Sequence, residues 1–242
     1  MRPDFETAWR RRFETFGREH EDDAGIAGWS EAGLQARFRN FARSWRPAAA
    51  GAFWLDAGCG AGTYARTLAS SGQHVLALDY SLPSLVKARS RAQEQPLLWV
   101  AGDVTALPLR SDSFDGVVCF GVLQSLSGPE RAISELARVL RPDGELWVDA
   151  LNARCLPNLF GRWRAKARGQ ETRLRYDTVG ILKRALREGG FRSVRISWVP
   201  ILPERLRFAQ ALLESRVVRW LLGALPWLGS AVSHAYVLTA RR

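Results

Sequence analysis

The chain has 242 residues, a formal net charge of +11, 47% hydrophobic residues and 24% charged residues. This length suits one domain with a substantial core and a small cap, and the composition argues against a disordered or fibrous chain. The three cysteines, Cys59, Cys119 and Cys155, are too few and too scattered for a disulfide framework or a metal cluster. We therefore expect no bound metal. Residues 1–23 are charged throughout and lack the apolar segment of a secretory signal, so we expect a cytoplasmic protein.

Residues 1–50 carry aromatic side chains at helical spacings. These side chains are Phe5, Trp9, Phe13, Phe16, Trp29, Phe38, Phe41 and Trp45. The spacing predicts two or three amphipathic helices that cap the domain, with most of the rings serving only to pack the helices. His20 in this region is a candidate base, although a lone exposed histidine more often has no catalytic role.

The next stretch predicts a strand, a tight turn, a helix and a second strand. The apolar run Phe53–Leu55 is followed by Asp56, by glycines at positions 58, 60 and 62, and by a predicted helix over 63–71. A second apolar run, His74–Leu78, ends on Asp79. Glycine permits left-handed backbone angles and lets a ligand approach bare backbone. The pattern is typical of a nucleotide-binding α/β unit, in which we expect Asp79 to bind both hydroxyls of a ribose.

The remaining predicted elements alternate between helices and strands, which indicates an α/β fold. We predict a helix over Leu82–Gln95 that is capped by Ser81, and further helices over Gly128–Leu140 and Tyr176–Gly189. The predicted strands are Leu97–Ala101, Phe114–Val122, Gly144–Ala150, Phe191–Val199 and Ala235–Ala240.

The glycine-rich turn does not by itself define the nucleotide. Gly60-x-Gly62-x-x-Ala65 also fits the loose dinucleotide pattern, which leaves a nicotinamide or flavin enzyme open. The longer run Asp56-x-Gly58-x-Gly60-x-Gly62, however, resembles the first motif of the class I S-adenosylmethionine (SAM)-dependent methyltransferases. Three later stretches look like the next motifs of that family, in the same order. They are Ala101–Val104, Asp112–Asp115 and Leu140–Leu146.

The resemblance implies a Rossmann-like, seven-stranded α/β sheet, mostly parallel with an antiparallel last strand, with helices on both faces and helical cap elements. It also implies SAM as the cofactor, with Asp103 accepting from the adenine amino group and the Val104 backbone meeting the ring. The implied cofactor-binding residues are Asp56, Gly58, Gly60, Gly62, Thr63, Tyr64, Asp79, Tyr80, Ser81, Asp103, Val104, Phe120 and Gly121.

Beyond the cofactor half we divide the single domain by composition. Between Arg154 and Arg219 there are sixteen Arg or Lys and five Asp or Glu, a surplus equal to the net charge of the chain. Such a positive surplus suits the binding of an anionic acceptor, an acidic carrier protein, anionic lipid or RNA. The alternative is that these residues only form a solvated face of the protein. Gln124, Arg154, Trp163 and Tyr176 are candidate substrate residues.

The predicted segments are the N-terminal lid 1–50, the cofactor half 51–151, a basic cap insertion 152–175, a helix and strand 176–200, an insertion 201–234 and the last strand 235–242.

Apolar residues of the insertion 201–234 recur every three or four positions and predict an amphipathic helix or helical pair. They are Leu206, Ala209, Leu213, Val217, Trp220, Leu221, Ala224 and Leu228. The stretch Trp220–Ala240 carries no formal charge, but Gly223 and Pro226 interrupt it and its last third is needed as a strand. We therefore expect a lid, a dimer face or a helix at an anionic membrane surface, and not a transmembrane helix.

Within the methyltransferases the chain resembles the type 11 group, which includes quinone, natural-product and malonyl carrier-protein methyltransferases. We expect methyl transfer to a small hydrophobic or lipid-like acceptor that is acidic or easily deprotonated, such as a carboxylate, a phenol or a carbanion. No base is expected near the pocket, since His74 and His234 should lie elsewhere, and no catalytic residue is assigned. The alternatives are methylation of an acyl group on an acidic carrier protein, or a non-enzymatic or non-methylating SAM-binding protein. An RNA methyltransferase is disfavoured because no RNA-binding motif is present.

Overall fold

The computed structural model describes residues 3–47, 50–92, 95–169, 174–202 and 204–242. Residues 170–173 of the predicted basic cap insertion and position 203 of the predicted insertion lie outside the described residues.

Seven strands form one sheet in the order β3-β2-β1-β4-β5-β7-β6. β7 runs antiparallel to both of its neighbours, whereas the pairs formed among β1 to β5 are parallel. This topology confirms the predicted fold class. The strands are β1 (Phe53–Ala57), β2 (His74–Asp79), β3 (Leu97–Ala101), β4 (Phe114–Cys119), β5 (Leu140–Leu151), β6 (Arg192–Val199) and β7 (Ala235–Arg241).

The helices cover both faces of the sheet and form the caps. They are α1 (Pro3–Glu19), α2 (Asp23–Ile26), α3 (Glu31–Ser44), α4 (Thr63–Ser70), α5 (Leu82–Arg91), α6 (Glu130–Val139), α7 (Leu156–Ala167), α8 (Val179–Glu188), α9 (Gln210–Leu213), α10 (Arg216–Ala224) and α11 (Pro226–Val232). Short 3₁₀ turns span Leu123–Ser125 and Glu204–Ala209.

The sheet is buried on both faces, which is why its central strands are continuously apolar. In β1, Trp54 and Leu55 point to opposite faces and both are buried. Leu55 packs in one core layer with Leu136 of α6, and Trp54 packs in the other with Phe41 of α3. The two layers hold the carboxyl ends of the parallel strands at one edge, where the site forms.

The N-terminal cap, α1 to α3, is held close to the cofactor half of the domain. α1 packs against α5 at Gly17, where a Cβ atom would lie 2.6 Å from Ser84 Oγ. Ser81 caps α5 as predicted, since its Oγ accepts from Ser84 N–H, and the same hydroxyl donates to the Phe13 carbonyl at 3.2 Å. One serine therefore joins the start of α5 to the cap.

Several predicted boundaries are wrong. α5 ends at Arg91 and not at Gln95, because Ala92 N–H closes the helix on the Arg89 carbonyl. β4 ends at Cys119 and not at Val122, since Gly121 takes φ of 77° and donates its N–H to Asp149. β5 begins at Leu140, four residues before the predicted start at Gly144, since Leu140 already pairs with Phe114.

The predicted start of α8 at Tyr176 is also wrong. Asp177 pairs with the end of β5, where its N–H donates to the Leu151 carbonyl at 2.9 Å. Its carboxylate accepts from Arg175 at 2.8 and 2.9 Å. Because these bonds hold Asp177 outside the helix, Thr178 caps α8 and the helix begins at Val179.

The insertion between β6 and β7 differs from the predicted amphipathic pair. It consists of the 3₁₀ turn and the short helices α9, α10 and α11. The predicted stripe is not the buried face, because Val217 and Trp220 are 67% and 68% exposed whereas Leu222 is only 4% exposed. The uncharged stretch 220–240 divides among α10, α11 and β7. Among the described residues, no helix has the length and apolarity needed to cross a bilayer.

Candidate active site

Two adjoining cavities lie between the strand ends and the caps. The first cavity, of about 120 Å³, is bordered by the glycine turn, by the ends of β2 and β3, and by α1 and α2. The second cavity, of about 920 Å³, lies between the N-terminal cap and the insertion helices. The two cavities share Trp9, Phe13, Ala27, Trp29 and Ser125 in their walls. Two ligands could therefore meet at one boundary.

The glycine turn is pinned to the end of β2. The Gly58 and Cys59 N–H groups both donate to the Leu78 carbonyl, at 2.7 and 2.9 Å. Gly58 has φ of 80°, and a Cβ atom there would lie 2.2 Å from Val122 Cγ2. Gly60 has φ of 49° and faces open space within 4 Å. The turn therefore presents bare backbone to the first cavity.

Asp56 supports this turn from behind and does not line either cavity. Its carboxylate is buried and accepts from Ala65 N–H at 2.9 Å, which joins the end of β1 to α4. Burial raises the pKa of Asp56 to about 7.

Asp79 lines the first cavity at the tip of β2. One carboxylate oxygen accepts from Gly60 N–H at 2.7 Å and the other from Ser81 N–H at 2.8 Å. Burial raises the pKa of Asp79, while these two bonds oppose that shift. Each oxygen retains acceptor capacity, so the fixed carboxylate can receive the two hydroxyls of a ribose.

Asp103 lines the same cavity at the end of β3 and is in contact with the lid. Its Oδ1 accepts from Thr105 N–H at 2.8 Å and from Thr105 Oγ1 at 2.7 Å, and its Oδ2 forms an ion pair with Arg10 of α1. Burial works against ionisation, but the bonds from Thr105 and the charge of Arg10 lower the pKa of Asp103 overall. Arg10 also lies over the Tyr80 ring at 4.5 Å.

An aromatic wall closes the first cavity on the side of β4. The Tyr64 and Phe120 rings stack with centroids 4.4 Å apart. Within the described part of the chain, the buried Tyr64 hydroxyl has no hydrogen-bond partner. Gly121 takes φ of 77°, and a Cβ atom there would lie 2.2 Å from Trp29 Cζ2. The close approach of Trp29 brings the cap onto the end of β4.

The structure brings most of the predicted cofactor residues to the first cavity. Those in its wall are Gly58, Gly60, Thr63, Tyr64, Asp79, Tyr80, Asp103, Val104, Phe120 and Gly121. Asp56, Gly62 and Ser81 lie behind this wall and support the turn and the start of α5.

The predicted substrate residues divide into two pairs. Gln124 and Tyr176 line the second cavity. Arg154, which precedes α7, and Trp163 on α7 are both exposed and line neither cavity. His20 lines neither cavity and packs against Phe16 with ring centroids 5.8 Å apart.

Sequence reasoning missed the charged residues that hold the cap. Asp23 of α2 accepts from Thr63 Oγ1 at 2.5 Å, from Arg66 at 2.6 Å and from Arg91 at 2.8 Å. It thereby ties α2 to α4 and α5 at the rim of the first cavity. No signal in the sequence identifies these bonds, since they depend on how distant helices dock.

The second cavity is mainly apolar and contains few polar groups. Arg37 is buried, donates from Nε to Asp149 at 2.6 Å and lies over the Trp29 ring at 4.4 Å. The Asp149 carboxylate also accepts from Gly121 N–H at 2.6 Å. This buried pair links the walls of both cavities and brings a guanidinium to the second.

The structure corrects the expectation that no histidine lies near the pocket, because His234 lines the second cavity. Burial, and to a smaller extent the charge of Arg37, lower the pKa of His234 to about 4. The imidazole is therefore neutral at pH 7 and can both donate and accept a hydrogen bond. The start of β7 places it there, which the sequence pattern alone does not reveal.

Gln124 contributes a second polar group. Its backbone carbonyl accepts from Arg175 N–H at 3.0 Å, which fixes the residue above β4. Its buried side-chain oxygen has no hydrogen-bond partner in the regions the structure describes. Leaving such an atom unpaired costs roughly 1–3 kcal/mol, so a ligand that donates to it is favoured.

The polar groups of the first cavity suit a nucleoside. They are a fixed carboxylate at Asp79, a second acceptor at Asp103 and bare backbone at Gly60. Ligand sites usually have about 300–1,000 Å³, more than this slot provides. We therefore expect α1 to shift outward from Asp103 when a nucleoside enters. No cluster of three or more His, Cys, Asp or Glu that could hold a metal occurs within the described ranges.

Comparisons with known proteins agree with this geometry. A family profile described as a methyltransferase domain matches residues 55–148. A malonyl-[acyl-carrier protein] O-methyltransferase of Enterobacter lignolyticus is 39% identical over 54% of this chain and 52% of its own length. A demethylmenaquinone methyltransferase of Renibacterium salmoninarum is 38% identical over 39% of both chains. The match thus spans about half, or less, of these relatives.

A solved structure shares the fold over nearly the whole chain. Magnesium protoporphyrin IX methyltransferase of Synechocystis superposes with a TM-score of 0.65 over 99% of this chain and all of that one, at 19% identity. The strand order, the ordered motifs and the profile match lead to the same assignment. Residues 55–148 therefore belong to a SAM-dependent methyltransferase domain of the type 11 group, within a chain that has the class I fold.

Proposed function

We propose that this chain is a SAM-dependent methyltransferase that acts on a small hydrophobic or lipid-like acceptor held in the second cavity. One observation carries the proposal: the second cavity, which is mainly apolar and has a volume of about 920 Å³, adjoins the first cavity and shares wall residues with it. The curated relatives act on a malonyl carrier protein and on demethylmenaquinone, by their names. A reduced quinone ring and an acyl carboxyl group both lose a proton readily, so each can accept methyl as an anion.

In this proposal the residues of the first cavity hold SAM. Asp79 binds the ribose, Asp103 and Val104 contact the adenine, and the backbone around Gly60 accommodates the amino-acid end. When bound, SAM supplies an electrophilic methyl group. Arg10 leaves Asp103 as α1 moves outward for the cofactor to enter.

The residues of the second cavity position the acceptor and exclude water. Alignment of two reacting groups supplies roughly 7–11 kcal/mol of a barrier, more than one proton transfer usually does. Gln124 and His234 orient the acceptor by hydrogen bonds. The charge of Arg37 is balanced by Asp149, so Arg37 contributes N–H donors to the cavity wall and no net charge. Because the pKa of His234 is about 4, the imidazole is a weak proton acceptor, which restricts the chemistry to acceptors that ionise readily.

A second candidate is methylation of an acyl group on an acidic carrier protein. The observation that favours it is a group of exposed basic residues at the end of α7, the helix that also contributes Leu156 to the cavity wall. They are Arg164 and Lys166 of α7 and Arg168, which follows it. A carrier protein bound there would have to deliver its acyl chain past Leu156. Strong weakening by salt would distinguish this acceptor from a small apolar one.

The proposal can be tested by a substitution on α3 that places a larger side chain in the second cavity. Ala32 of α3 lines the cavity, whereas Ala42 of the same helix is exposed. We expect Ala32→Phe to lower transfer of labelled methyl from SAM at least tenfold while the Kd for SAM stays within twofold, because the added ring occupies acceptor space. Ala42→Phe is the matched control. The assay supplies hydroquinones, fatty acids and malonyl carrier protein, and full activity of Ala32→Phe on all of them contradicts this placement of the acceptor.

A further inference from the structure

The insertion and α7 expose an unusual number of large apolar side chains. On α7, Leu156, Phe160 and Trp163 follow a spacing of four and three and so share one helix face, and all three are exposed. On the insertion the exposed side chains are Phe208, Leu212, Val217, Trp220 and Trp227. α11 packs against both α7 and α10, so the two sets belong to one region of the surface. We call these eight side chains the aromatic face.

The aromatic face is surrounded by positive charge. Residues 154–169 and 205–234 together contain nine Arg or Lys and one acidic residue, Glu214. Glu214 accepts from Arg39 at 2.7 and 2.8 Å and pairs with Arg43 at 2.7 Å, so its charge is neutralised within the protein. Residues 154–169 and 205–234 therefore carry an excess of positive charge beside the aromatic face.

We propose that the aromatic face docks this chain on an anionic lipid bilayer. Tryptophan and phenylalanine among arginines are the side chains that partition to the headgroup boundary, where the rings are buried and the guanidinium groups meet lipid phosphates. A second copy is disfavoured as the occupant, because an isologous contact would oppose two strongly basic surfaces. An acidic protein would complement the arginines but leave the protruding rings without an apolar partner.

The same helices connect this face with the second cavity. α7 contributes Leu156 to the cavity wall, and α10 and α11 contribute Val218 and Leu228. The outer sides of these helices carry Phe160, Trp220 and Trp227. A lipid-like acceptor could thus pass from the bilayer between α7 and the insertion into the cavity. This route rests on the proposed function, whereas docking itself does not.

The docking test is flotation of the full chain with phosphatidylcholine vesicles that contain or lack phosphatidylglycerol. We expect flotation with the anionic vesicles and at least tenfold weaker binding to the neutral ones. Leu212→Ser/Trp220→Ser should lower binding to the anionic vesicles at least tenfold. Arg164→Glu/Arg168→Glu should also lower it and reduce its salt dependence.

The matched control lies on the opposite part of the molecule. Leu98 is 67% exposed on β3, compared with 68% for Leu212, and Val86 of α5 is also exposed. Leu98→Ser/Val86→Ser should bind vesicles like the unsubstituted chain, and thermal melts establish that all variants are folded. The proposal is overturned if the unsubstituted chain does not float with anionic vesicles, or if the control variant loses binding equally.

Failure of docking and failure of the proposed function give different results. Without vesicles, Leu212→Ser/Trp220→Ser should retain methyl transfer to a dissolved acceptor, since neither residue lines a cavity. Sedimentation equilibrium tests whether the aromatic face is instead a contact between two copies of the chain. If the unsubstituted chain is a dimer and Leu212→Ser/Trp220→Ser is a monomer, the docking proposal is overturned.

Discussion

Asp79 holds the glycine turn in this site and, in the proposed function, also binds the ribose of SAM. Its two oxygens hold Gly60 N–H and Ser81 N–H while facing the nucleoside slot. In Asp79→Asn one of these positions becomes an amide donor and the charge is lost. Hydrogen bonds to a charged group contribute roughly 1.5–3 kcal/mol each. We therefore expect SAM affinity, measured by calorimetry, to fall about 10- to 100-fold, and an unchanged Kd would contradict the proposed ribose contact.

His234 links folding stability to pH. Its pKa is lowered from 6.5 to about 4 in the folded chain, so the unfolded chain binds more protons between these values. This contribution to the free energy of unfolding is fully present above pH 6.5 and is lost as the pH falls toward 4. At pH 5 the loss relative to pH 7 is about 2 kcal/mol.

The measurement is urea unfolding of the unsubstituted chain and of His234→Gln at pH 7 and pH 5. Glutamine does not titrate, so the difference in unfolding free energy between the two chains should shift by about 2 kcal/mol in favour of the variant at pH 5. Asp56 titrates in the same range with the opposite sign, since its pKa is raised to about 7, but it is common to both chains and cancels. A pH-independent difference would mean that His234 is not buried as described.

Residue-scale prediction from sequence succeeded where the chemistry is local. The spacing from Asp56 to Gly62 and the position of Asp79 at a strand tip suffice to place these residues around one turn. Arg10 and Asp103 are 93 positions apart, and nothing local to either residue indicates their ion pair. The location of His234 is hidden for the same reason, since the start of β7 brings it to the cavity that Arg37 of α3 also lines.

At the scale of elements, α1 lies across the first cavity, and we expect it to control entry of the cofactor. Arg10 pairs with Asp103, and Glu6 accepts from Ser127 N–H at 2.7 Å, so the helix is tied across the slot. The Arg10 ion pair is partly exposed and is therefore worth no more than about 1 kcal/mol. We expect Arg10→Ala to raise the association rate constant for SAM up to about fivefold in stopped-flow fluorescence.

Arg11 offers the matched control, since it is the next residue of α1 and is exposed. Arg11→Ala should leave the association rate unchanged. Slower association of Arg10→Ala, or equal rates in the two variants, would show that α1 does not have to leave Asp103 before SAM binds.

α10 shows why the sequence could not define the faces of the insertion. The helix is apolar on most sides, so its period predicts a helix but not which side is buried. The inward side of α10 is set by Leu222, which packs in the sheet core. The next helix, α11, lies close to the sheet at Gly229, where a Cβ atom would be 2.3 Å from Trp198 Nε1. Tertiary contacts of this kind leave Val217 and Trp220 in solvent.

At the scale of the whole molecule, the fold separates the two proposed ligands. The walls of the first cavity come from residues 6–126, whereas the insertion contributes only to the second. The cofactor half is the part that the ordered motifs made predictable. The acceptor side combines α1 to α3, α7 and the insertion, and the profile match over residues 55–148 does not extend to these segments.

The assignment of the first cavity can be tested by calorimetric titration of the full chain with SAM, with its demethylated product and with NADPH. We expect binding of the first two in the micromolar range and no binding of NADPH, since the first cavity has acceptors for one nucleoside and its turn matches the SAM motif. Binding of the dinucleotide, or of none of the three, would contradict the assignment of the first cavity and with it the proposed methyl transfer.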